Sequence, residues 1–189
     1  KEHGFTMPKT GQPQSKPDPQ AAARIARERA AAQQAEKARQ DAAHQAAAGE
    51  AVALWESAAE VLSASAAPYL SRKHVQAYGV RFGAGGWLLV PVRDAAGELW
   101  NVQRVAPAKP TSGPDKLFLK GGRKSGLWHL CGDPVGAAVL LVAEGYATAA
   151  SLHEATGRPV AVAFDAGNLA HVAKALHQQY PAALLVLCG

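Results

Sequence analysis

Two stretches hold side chains that could do chemistry at the tips of buried strands. The apolar run "AVLLVA" (residues 138–143) stops at Glu144-Gly145, and a helical pattern follows at once. A second run, "PVAVAF", stops at Asp165-Ala166-Gly167-Asn168. In open parallel sheets ligands bind outside the carboxyl ends of the strands, so both acids would project into one crevice. A carboxylate there can hold Mg²⁺, which takes oxygen ligands, or act as a general acid or base. Gly145 lets a bulky anion approach the backbone. Thr148, in the first turn of the next helix, adds a hydroxyl beside N–H groups that suit a phosphate. The alternative, that Glu144 only complements the helix dipole, stays equally open on these grounds. Upstream lie the cations that could meet an anion: Arg104, Lys116, Lys120, Arg123 and Lys124, the last four around a glycine-rich turn.

Three buried strands and two helices must position the acids. "AAVLLVAEG", "YATAASLHEATG", "RPVAVAFDAGN", "LAHVAKALHQQYP" and "AALLVLCG" read as β-α-β-α-β, hence a parallel sheet, because the strand runs are apolar throughout. Before them, "WLLVPVRDAAGELWNVQRV" reads as strand, turn, strand, and "DKLFL" and "GLWHL" as short strands on either side of the basic turn. Val52, Trp55, Ala59 and Leu62 recur at helical spacing. Residues 20–50 are rich in Ala, Arg, Glu and Gln and predict a long helical arm with almost no large apolar residue. Residues 1–19, rich in Pro, Gly, Gln and Lys, read as a flexible linker. The organisation is therefore linker 1–19, arm 20–50, a basic mixed α+β subdomain 51–134, and an α/β domain 135–189.

Composition narrows the partners. The net charge of +5 favours an anionic partner, nucleic acid being the commonest. Cys131 and Cys188 form no C-x-x-C pair, which argues against a zinc ribbon or a disulfide framework and points to a reducing cytoplasm. No stretch reads as a membrane span or signal peptide. His129 and His153 have no partner at metal-ligand spacing, and Trp87, Trp100 and Trp128 sit in apolar runs and read as core rather than as base-stacking platforms.

"VAEGYATAASLHEATGRPVAVAFDAGNL" resembles the Toprim domain of primases from conjugative plasmids and phages. "YLSRKHVQAYGVRF", "WLLVPVRDAAGELWNVQRV" and "DKLFLKGGRKSGLWHLCG" resemble the segment that precedes it in that family, so the resemblance covers residues 52–189. It implies a Toprim-like sheet and synthesis of RNA primers on single-stranded DNA, from nucleoside triphosphates, with Mg²⁺ or Mn²⁺. It places the family's glutamate on Glu144, with Asp165 as a second metal candidate and Asn168 in support. Template and triphosphate would lie along Arg104, Lys116, Lys120, Arg123 and Lys124. A replicative helicase is a further partner that it suggests.

One departure limits the resemblance. The family's D-x-D pair follows the third strand, and here the sequence reaches Gly189 first. A fragment of a longer primase, inactive alone because its metal site is incomplete, is the expectation. The competing expectation is a non-catalytic module that binds single-stranded DNA through the basic groove.

Overall fold

The computed structural model describes residues 19–60 and 67–188. The linker expected over residues 1–19 lies, Pro19 apart, outside them. The chain divides between Arg39 and Gln40 into two units. In the first, the described residues are helical and almost wholly exposed, with an Arg24–Glu28 ion pair at 3.8 Å and an Arg39–Glu36 pair. Alanine's high helix propensity, rather than a buried face, accounts for helix α1 (Pro19–Glu56) there.

From Gln40 onward α1 gains a buried side, Ala47 and Ala51, and it runs past the expected end at residue 50. The helical stripe expected through Leu62 stops short. Ala59 lies in strand β1 (Ala59–Glu60), Val52 is exposed, and Leu62 falls outside the described residues. A short helix α2 (Pro68–Lys73) follows, with proline at its start, where the missing N–H costs nothing.

Strands β2 (Arg81–Phe82), β3 (Leu88–Arg93), β4 (Leu99–Val105) and β5 (Lys116–Phe118) join β1 in an antiparallel sheet of order β1-β2-β3-β4-β5. A 3-10 turn at Ala84–Gly86 joins β2 to β3, and the expected turn after β3 is present: Asp94 closes the β3–β4 hairpin by accepting the Ala96 and Glu98 N–H groups. The second sheet has order β6-β8-β7-β9, from β6 (His129–Cys131), β7 (Val139–Ala143), β8 (Val160–Val162) and β9 (Leu184–Cys188). Helices α3 (Tyr146–Thr156) and α4 (Leu169–Gln179) connect its parallel strands. The sheet is mixed rather than wholly parallel, because β6 pairs antiparallel with β8. "DKLFL" and "GLWHL", read together from their shared basic turn, thus belong to different sheets.

One core fills the space between the sheets. Leu88, Val90, Val92 and Val105 of the first meet Leu141, Ala143, Val160 and Val162 of the second, with Tyr146, Ala149 and Ala150 of α3. The opposite face of the second sheet packs Leu140, Val142 and Ala161 under Val172 and Leu176 of α4. Burial on both faces explains the unbroken apolar runs of β7 and β8. On the far side of the first sheet, Leu89, Leu99 and Val102 pack against Ala47 and Ala51.

Candidate active site at the strand ends

The parallel pairing of β7 with β8 sets Ala143 opposite Val162, so Glu144 and Asp165 leave the sheet at the same end. Glu144 is exposed, and Gly145 is the extended residue from which α3 starts. Strand β5 of the first sheet reaches this edge: a Cβ added at Gly145 would stand 3.7 Å from Lys116 Nζ. An ammonium group thus lies close to the strand tip. Phe118, two residues along β5, meets Phe164 edge-on at 5.7 Å between centroids. Phe164 holds a left-handed backbone (φ 73°), a conformation that costs a non-glycine residue about 1–3 kcal/mol and that sits directly before Asp165.

Asp165 is committed elsewhere. One carboxylate oxygen accepts from Lys124 Nζ and the other from the Asn168 N–H at 3.0 Å. Partial burial alone would raise its pKa, but the Lys124 pair and the Asn168 and Gly167 N–H groups outweigh it and hold the carboxyl below its ordinary range. Asn168 is buried and serves as an internal brace. Its Nδ2 donates to the carbonyls of Ala163 (2.8 Å), Leu127 (3.2 Å) and Lys124 (3.2 Å), and its Oδ1 accepts from Gly126 N–H (2.8 Å). It fixes the Lys124–Leu127 turn to the end of β8. Asn168→Ala would strand these groups in the interior, and a stability loss of about 3 kcal/mol is expected in urea unfolding. A loss below about 1 kcal/mol would mean that water replaces the amide.

The other predicted cations separate. Lys120 is exposed in the turn after β5. Arg123 lies over the Trp100 ring at 4.9 Å. Arg104 pairs with Leu89 and Leu117 across its neighbouring strands. Directly paired residues share a face, so Arg104 lies on the α1 side with Leu89 and Val102, away from Lys116, whose partner is Val105. It covers Trp87 at 5.6 Å, and its Nε is buried with no hydrogen-bond partner among the described residues.

Sequence reasoning passed over half of a cationic wall. Tyr69, Arg72 and Lys73 of α2, Lys109 and Asp115 of the β4–β5 link, and Lys116 line a cavity of about 360 Å³, closed by Gly145, Ala147 and Thr148 of α3. Arg72 is held there by donating to the Pro107 carbonyl at 2.6 Å. Only the topology joins these segments, and no local pattern marks them. Four cations against the single carboxylate of Asp115, beside the N-terminus of α3, suit a phosphate-bearing ligand.

A divalent cation does not fit the described residues alone. No group of three or more His, Cys, Asp or Glu among them could hold one, and both Asp165 oxygens are already engaged. His129 is no ligand either. It is buried, and its Nε2 meets the Tyr78 carbonyl at 2.8 Å.

Fold and site together define an α/β protein whose strand-end crevice faces a basic, antiparallel sheet. Over 127 residues, 65% of the chain, it is 39% identical to two curated proteins, each named DNA primase TraC, from Escherichia coli. The resemblance to plasmid-type DNA primases stands on these relatives. The match takes in 8% of one and 12% of the other, so the chain spans a small part of their length. No family model matches the chain, and no solved structure matches it. Among the described residues no helix is long and apolar enough to cross a membrane.

Proposed function

We infer that this chain is a Toprim-type primase core segment, acting in synthesis of RNA primers on single-stranded DNA from nucleoside triphosphates. The observation that carries this reading is the approach of Lys116, from the antiparallel sheet, to Gly145 at the tip of β7, beside Glu144. In this arrangement the cationic cavity of Arg72, Lys73, Lys109 and Lys116 binds triphosphate oxygens, and the α3 N–H groups and Thr148 complete the cradle. Glu144, solvated and without an ion pair among the described residues, accepts the proton of the attacking hydroxyl. Asp165 and Asn168 hold Lys124 and its turn in place. A divalent cation would add charge neutralisation, and it would need oxygen donors beyond Glu144 and Asp165.

The test is ribonucleotide incorporation on a single-stranded DNA template by the protein that carries this segment. Template-complementary RNA that requires ribonucleoside triphosphates is the expected product. No incorporation by a folded protein under any divalent-metal condition overturns the reading. A second reading, a non-catalytic single-stranded-DNA-binding module, is favoured by the engaged state of Asp165. It predicts binding that falls with salt and ignores nucleotide.

A further inference from the structure

Besides their shared core, the two sheets are joined at the backbone by a single antiparallel pair, Arg93 of β3 with Trp128, the residue before β6. Each N–H of the pair donates to the other's carbonyl, at 2.9 and 3.0 Å. Continued by one step, this ladder would set Pro91 against Leu130. It does not continue. Proline has no N–H to donate, and no hydrogen bond joins these two residues. A cavity of about 420 Å³ opens there instead, lined by Pro91, Arg93, Trp128 and Leu130, with Trp55 of α1 and Tyr180 after α4. It shares no lining residue with the cationic cavity at Gly145.

Two features of this cavity lack a partner. The first is backbone. Along a strand the N–H and carbonyl groups of successive residues turn to alternate sides. Those of Trp128 turn to Arg93 and β3, so those of Leu130 also face away from β8, and no described residue hydrogen-bonds them. The second is charge. Arg93 is half-buried, and no described carboxylate is in ion-pair contact with it. Burial and the nearby Arg81 pull its pKa below the ordinary arginine value, with only Glu98 acting against them. Asp94 also lines the cavity, but its carboxylate accepts from the Ala96 and Glu98 N–H groups and from the Trp100 indole. One Arg93 N–H goes to the Gly97 carbonyl at 2.8 Å, which leaves the rest of the guanidinium fork for an anion.

We propose that this cavity is a docking site for the carboxyl terminus of a polypeptide whose last residue is aromatic. An open N–H and carbonyl pair on a strand edge is complemented by another backbone, as when a peptide adds a strand to a sheet. Here the added strand has one step to pair with, at Leu130. The next edge position, at Trp128, is already taken by Arg93, so the incoming chain must end there. The residue that stops it carries the unmatched guanidinium, which receives the terminal carboxylate. Trp55, Trp128 and Tyr180 offer ring surface to the last side chain. The site is independent of the function proposed above and of the crevice at Glu144.

The experiment titrates N-acetyl-phenylalanine into the 189-residue chain and follows the His129 ring and Trp128 indole signals by NMR. Saturable shifts of both are expected. N-acetyl-phenylalaninamide, which keeps the ring and loses the charge, should bind about tenfold more weakly. N-acetyl-N-methyl-phenylalanine, which loses the N–H offered to Leu130, should bind about fivefold more weakly. These comparisons use the wild-type chain, so they decide even where a variant fails to fold. Arg93→Gln, folded by circular dichroism, should bind the acid and the amide alike. An acetylated tetrapeptide ending in phenylalanine should bind at least as tightly as the single residue; loss of binding on lengthening would restrict the site to free acylamino acids and overturn the polypeptide occupant. No saturable shift, equal binding of acid, amide and N-methyl compounds, or shifts confined to Gly145 and Thr148 also overturn the proposal.

Discussion

Glu144→Ala is expected to reduce primer synthesis by at least about a hundredfold while leaving the fold intact. Proton transfer by a positioned side chain contributes roughly 10²–10⁴-fold to a rate, and Asp165, the other strand-end carboxylate, is tied to Lys124 and to the Asn168 N–H. The side chain is exposed and makes no hydrogen bond or ion pair with another described residue, so its removal opens no cavity and strands no partner. Glu144→Gln should be as damaging as alanine, because it keeps the size and hydrogen-bonding reach but loses the basicity. Comparable rates for the glutamine variant and the wild type would make Glu144 a steric or dipole residue. Circular dichroism and urea midpoints, expected to stay at wild-type values, separate lost chemistry from lost structure.

Acid is expected to weaken the fold in a defined window. Burial pushes the His129 pKa down from 6.5 to about 4; the Tyr78 carbonyl works against this shift and the nearby Arg93 with it. The ring also lies 5.7 Å from that of Tyr146. The unfolded chain takes up a proton near the ordinary value, whereas the folded chain stays neutral until about pH 4. Stability is therefore full above pH 6.5, declines as pH falls toward 4, and levels off below, with a loss of about 3 kcal/mol across the window. Asp165 acts lower. Its depressed pKa means that its contribution is present above the usual carboxylate range and is lost as pH falls through the folded value. Urea unfolding at pH 7 and 4.5 measures the histidine window. His129→Gln, which can still donate to the Tyr78 carbonyl, should flatten the profile there; an unchanged profile would assign the acid sensitivity to other groups.

The strand ends were legible in the sequence because their signals are local. An unbroken apolar run, a glycine and a following helix mark Glu144 and Asp165 without reference to the rest of the chain. The hairpin at Asp94 was legible for the same reason. What failed to show was the assembly of distant segments. Lys116 and Arg104 look alike as basic residues near strands, yet strand register puts them on opposite faces. Arg72 and Lys73 look like ordinary helix-end cations until α2 is placed beside α3. Trp87, Trp100 and Trp128 share the same apolar setting in sequence, but only Trp128 is buried; the other two keep an exposed flank covered by arginine. The helical stripe through Leu62 ended early because Ala59 and Glu60 pair with β2 instead.

The shared core between the two sheets has a mechanical consequence. Residues from β3 and β4 interlock with residues from β7, β8 and α3 in one buried cluster, so the walls of the crevice cannot swing apart without exposing it. A ligand has no jaws to close upon it. Admission falls to long side chains at the rim, Lys73, Lys109, Lys116 and Glu144, whose rotamers change in picoseconds to nanoseconds. A polymer serviced by such a groove would be threaded along it and advanced by sliding, and stiffening the frame should leave turnover unaffected where shortening a rim lysine would not.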